Sequence, residues 1–192
     1  MKKNHLFLFV GLFLFPTVFS AQFSVSGKIK RHNDSGVPDI EVSCNQTVIT
    51  DSDGNFEFTD VDLNTTCNLS ASGMYEKFDD ITILDMIETR RYMLSLNTFS
   101  FYQKFAADLS SPQNSGVGVS TYDLVLMTKL ALHMDDNNSP TWAFIDADYN
   151  TSSLPFPNGI DINVTDNMTG LDFIAMKKGD PAISSDYMPA PP

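Results

Sequence analysis

Val25-Ser26-Gly27-Lys28-Ile29, Gly36-Val37-Pro38-Asp39-Ile40-Glu41-Val42-Ser43-Cys44 and Thr50-Asp51-Ser52-Asp53-Gly54-Asn55-Phe56-Glu57-Phe58 are the stretches whose reading decides the fold. Phe23, Val25, Gly27 and Ile29 share one parity against Ser24, Ser26, Lys28 and Lys30. That is the period of a strand with one face buried. Turn-forming residues from Asn33 to Pro38 end it. Ile40, Val42 and Cys44 then alternate with Glu41, Ser43 and Asn45, and Thr47 to Thr50 reads as a third strand. Asp51 to Asn55 makes a tight turn in which Gly54 is free to take positive φ. Phe56, Phe58, Val61, Cys67 and Leu69 continue the apolar side. Residues 21–73 are therefore expected to form a small antiparallel β-sandwich.

Cys44 shares its parity with Ile40 and Val42, and Cys67 shares its parity with Leu69, so both point to the apolar side and can meet between the layers. An even cysteine count in an exported chain predicts a disulfide; the alternative is two buried thiols. Export is read from the first residues. Lys2 and Lys3 precede an apolar run from Leu6 to Phe15, and Val18-Phe19-Ser20 supplies small residues for cleavage after Ser20 or Ala21. This is the secretory pattern, too short to span a bilayer well, and no later stretch is apolar enough to cross a membrane. Removing residues 1–20 takes away Lys2 and Lys3, so the formal charge moves from −12 to −14. Such a surface repels phosphate backbones and excludes nucleic acid as a partner. Of three histidines, His5 leaves with the signal, and His32 and His133 are too few for a multi-histidine metal site.

The V-x-G strand, the G-x-P turn and Thr50-Asp51 through Phe58 resemble the carboxypeptidase-regulatory-like or prealbumin-like β-sandwich modules of secreted bacterial proteins. The resemblance covers residues 23–72 and implies a spacer or adhesive platform.

Residues 81–94 align with residues 119–132 at an offset of 38. Asp85 falls on Asp123, Thr82 on Ser120, Arg91 on Lys129 and Leu94 on Leu132. Apolar residues at helical spacing follow each aspartate: Met86, Ile87, Met93 and Leu94 in the first copy; Leu124, Val125, Leu130, Ala131 and Leu132 in the second. Each copy predicts a helix of three turns with its acidic residue where the dipole favours it. Aspartates in this place cap a helix, with Ser120 or Thr121 as N-cap, or serve a loop before it. The pair resembles a dockerin-type domain, two repeats of a calcium loop and a helix. The resemblance makes Asp85 and Asp123 the final loop residues and Ala106-Ala107-Asp108 the entry to the second loop. It implies calcium held by Asp108, Asn114, the Val119 carbonyl and Asp123, and a cohesin-like protein partner linked to polysaccharide degradation. Four extra residues around Ser111-Pro112-Gln113 lengthen that loop, and the first copy supplies no comparable ligand set.

Trp142 to Asp146 alternates like a strand. Trp142-x-Phe144-x-Asp146-x-Asp148 and Leu171-Asp172-Phe173 through Asp180 resemble the continuation of such modules, read as a β addition packed on the repeats. The expected class is α+β, with a signal at 1–20, the sandwich at 21–73, the repeat pair at 74–135, the addition at 136–182 and a Pro-rich disordered tail at 183–192. No phosphate loop, nucleophile elbow or H-E-x-x-H occurs, and adjacent pairs such as Asp79-Asp80 and Asp135-Asp136 cannot face each other across a cleft as glycosidase carboxylates must. Asn-x-Ser/Thr triplets at Asn45, Asn64, Asn68, Asn137, Asn150, Asn163 and Asn167 read as polar surface. The expectation is a non-enzymatic assembly or adhesion module, with Arg90, Arg91 and Lys129 on its docking face. The rival is a carbohydrate-binding protein using Trp142, Tyr149 and Phe156.

Overall fold

The computed structural model describes residues 22–73, 81–111, 118–134, 142–151 and 157–182. The expected signal, Asn114, Phe156 and the tail lie outside them. The order of elements is β1 (Gln22–Lys30), β2 (Glu41–Cys44), β3 (Gln46–Ile49), β4 (Asn55–Asp62), β5 (Thr66–Ser72), α1 (Ile83–Met93), α2 (Phe101–Ala107), α3 (Thr121–Ala131), β6 (Trp142–Asp146), β7 (Ile160–Asn163) and β8 (Phe173–Lys177). This is an α+β molecule: two four-stranded sheets, ordered β4-β1-β8-β6 and β3-β2-β5-β7, enclose one core.

The local alternation builds the first five strands as the sequence predicts. In β4 the burial alternates strictly through Phe56 and Phe58, which face in, while Glu57 faces out. Thr50 fixes the approach to the turn: its hydroxyl donates to the Val37 carbonyl at 2.8 Å and accepts the Ile40 N–H at 2.9 Å. Gly54 takes φ 79°, and a Cβ there would fall 2.3 Å from the Ile29 carbonyl oxygen, so only glycine fits. Cys44 and Cys67 are bonded, with Cα atoms 5.6 Å apart. The bridge does not cross the layers as expected. It ties β2 to β5, neighbours in one sheet, because the two strands pair antiparallel and bring same-face residues together.

The sandwich does not close within residues 22–73. β8 pairs parallel with β1, with Ile29 opposite Phe173, and β6 flanks β8. β7 pairs antiparallel with β5. The first sheet is therefore mixed, not purely antiparallel. Without these strands β1 and β5 would each present a bare edge. β8 is buried at every position: Phe173 and Ala175 enter the sandwich core, while Ile174 and Met176 meet Phe105 of α2. A strand covered on both faces reads as a continuous apolar run. The C-terminal addition thus covers α2 with one face and completes the sandwich with the other.

α1 and α3 have equal length and begin 38 residues apart. They pack on each other around Met127 and Leu130, with Ile81, Phe99, Ala107 and Leu109 closing a second core. Expected inward residues are turned out: Ile87 is 47% exposed and Val125 50%, Leu94 63% and Leu132 62%. α1 buries only Asp85 and Thr89 completely.

Candidate functional site

Each repeat helix starts from the same device. In α3, Asp123 Oδ2 accepts the Ser120 N–H at 2.7 Å and the Ser120 hydroxyl at 2.8 Å, while Oδ1 accepts the Ser110 N–H at 2.7 Å. In α1, Asp85 Oδ2 accepts the Thr82 N–H at 2.8 Å and its hydroxyl at 3.0 Å, while Oδ1 accepts the Ala182 N–H at 3.1 Å. These are capping boxes with an aspartate in the glutamate's place. Ala182, from the far end of the chain, does for Asp85 what Ser110 does for Asp123.

The correspondence extends back along both segments. Asp108 stands two residues before Ser110, and Asp180 two residues before Ala182. Asp180 is hydrogen-bonded to Asp85, and the Gly179 N–H donates to the Ala106 carbonyl at 2.9 Å. Gly179 has φ 97° and lies so close to Ile81 that a Cβ would fall 2.9 Å from its Cδ1. The first repeat is completed by a segment that follows the second. Asp180 was missed as a site residue in the sequence. The available signal was the likeness of Lys178-Gly179-Asp180-Pro181-Ala182 to Ala106-Ala107-Asp108-Leu109-Ser110, an aspartate after a small residue in both.

The charges differ between the copies. Lys178, 3% exposed, donates to the Phe105 carbonyl at 2.8 Å and to the Asp108 carbonyl at 2.7 Å, and its Nζ lies 3.8 Å from the Phe105 ring centroid. Burial pushes its pKa down to about 8, against the pull of Asp108 and Asp123, which favour the charged form. At neutral pH the second loop therefore holds its own cation. Burial, with the Asp180 carboxyl beside it, raises Asp85 to about 7, opposed by the amides of Thr82 and Ala182.

The expected calcium ligands are only partly assembled. Asp108 and Asp123 converge on one loop, but their oxygens are engaged: Asp108 Oδ1 accepts the Ser111 N–H at 3.0 Å and Oδ2 the Gly118 N–H at 2.7 Å, and Asp123 is bonded as above. Val119 packs against the helical core. Among the described residues no group of three acidic, histidine or cysteine side chains is placed to hold a metal. Asp108 thus accepts two backbone N–H groups, and Asp123 two more and the Ser120 hydroxyl, beside the buried Lys178 ammonium, while Asn114 lies outside the described residues.

Of the expected binding residues, Arg90, Arg91 and Lys129 are exposed at the last turns of α1 and α3. Arg91 reaches back to Glu88 at 3.0 Å. Trp142 is only 6% exposed and sits in the sandwich core, so it is not a platform for sugar rings: its strand turns alternate side chains inward. Tyr149 packs partly buried against the α2 cluster. No helix among the described residues is long and apolar enough to cross a membrane. Comparison of the chain with protein-family models, curated proteins and solved structures gives no match.

Proposed function

We propose that this chain is an exported, non-catalytic assembly module whose sandwich serves as platform and whose α1–α3 pair docks a protein partner. One observation carries the reading. Equivalent positions of the two helices expose apolar side chains, Ile87 with Val125 and Leu94 with Leu132, beside Arg90, Arg91 and Lys129. A helix that turns such residues to water lacks a partner for them. The disulfide supports an oxidising destination. The likeness to dockerin repeats suggests a cohesin-like partner and a setting in polysaccharide degradation. In this reading docking needs no calcium, because amides and Lys178 brace the second loop. Carbohydrate binding by aromatics loses Trp142 to the core.

The test is a paired variant, Ile87→Asp with Val125→Asp. Both side chains are at the surface, so melting should stay within a few degrees of wild type while capture of the native partner from the secretome is lost. Undiminished capture would remove the docking face from the account.

A further inference from the structure

We propose that the α1–α3 face receives the sandwich of a second copy of this chain, joining molecules head to tail. The inference rests on the docking reading above and assigns its face to a second copy of this chain in place of a cohesin-like protein. Charge complementarity carries it, since both surfaces are visible in one molecule.

The helical side is apolar and basic. Within residues 81–134, Arg90 and Lys129 are exposed, Arg91 is exposed but paired with Glu88, and Lys104 is half-buried. The acidic groups described there are withdrawn: Asp85, Asp108 and Asp123 are buried, and Glu88 is bound by Arg91 and Asn97.

The sandwich offers the complement. β3 is the edge of its sheet, with one side unpaired by any described strand. Ile49 on that edge is 67% exposed. Glu41 is its cross-strand neighbour, and Asp39 and Asp51 flank it, Asp39 donating its N–H to the Thr50 carbonyl. An apolar side chain among carboxylates fits apolar helices rimmed by guanidinium and ammonium groups. The two faces are different surfaces of one molecule, so the contact is heterologous and propagates into chains instead of closing a dimer. Opposite charges around an apolar centre also steer the encounter and make it sensitive to salt.

Sedimentation velocity on the full exported chain decides the matter. At low ionic strength the wild type should form species larger than dimers as concentration rises. Raising salt to about 1 M, where screening acts within about 3 Å, should weaken association at least tenfold. Two variants separate the faces: Ile87→Ser with Arg90→Ser and Val125→Ser, and Ile49→Ser with Glu41→Gln. Each alone should be monomeric with unchanged melting, and an equimolar mixture should form a one-to-one dimer and nothing larger. A wild type that stays monomeric at every concentration overturns the proposal, as does association indifferent to either variant. A monomeric wild type that still captures a foreign protein through Ile87 and Val125 would sink this inference and leave the docking reading standing.

Discussion

The Thr89 hydroxyl lies 3.6 Å from the Met127 sulfur, and these two residues, 38 apart, are each other's equivalents in the repeat. The repeat therefore meets itself at its own pseudo-symmetry position. Met127 is fully buried between the helices. Met127→Ala should cost about 3 kcal/mol, as buried large-to-small changes do, and Thr89→Ala about 1 kcal/mol. Urea midpoints at constant m-value check both. A loss below about 0.5 kcal/mol for Met127→Ala would mean that the helices do not share a core.

The Cys44–Cys67 bond closes a separation of 23 residues. Cys44→Ala with Cys67→Ala should lower stability by about 3 kcal/mol, the chain-entropy value for a loop of that size. Reduction of the wild type should give a similar loss in chemical unfolding. Equal stability of oxidised and reduced protein would contradict it.

Asp85 is held at about 7, above its value in an unfolded chain of about 4. The folded state then keeps a proton that the unfolded state releases, so stability falls as pH rises from about 4 to about 7 and levels off above. In Asp180→Asn the side-chain amide takes the place of the shared proton. That variant should flatten the slope and gain relative to wild type above pH 7. The check is the urea midpoint at pH 5 and pH 8, and equal slopes in both proteins would dissociate Asp180 from the effect.

Lys178 braces two carbonyls and faces two buried carboxylates. Lys178→Met should cost about 3–5 kcal/mol, the usual loss on leaving buried charge uncompensated. Calcium should not change the melting temperature of the wild type relative to chelator. A rise with calcium that disappears in Asp123→Ala would restore the calcium cage, because a ligand selective for the folded form stabilises it by about 2.7 kcal/mol at a hundredfold excess over Kd.

Local pattern made β1 to β6 and both repeat helices legible, because alternation and capping residues act within a few positions. The destination of the C-terminal strands was not. β8 pairs with β1 across more than 140 residues, and nothing in five residues states a register at that distance. The same limit hid Asp180, whose partner Asp85 precedes it by 95 residues. Trp142 misled as a binding aromatic because its burial depends on β8 lying beside it. Ile87 and Val125 misled in the opposite sense: helical spacing shows an apolar stripe but not whether the molecule covers it.

The central claim is that the repeated helical face is where this chain meets another protein. A photo-crosslinking residue placed at Ile87, at Val125 or, as control, at exposed Asn163 on β7, under native conditions, tests it most directly. The account predicts a discrete protein adduct from positions 87 and 125 and none from 163, with the adduct mapping to residues 39–51 of a second copy where the head-to-tail contact operates. Adducts from position 163 alone, or from none of the three, would contradict it.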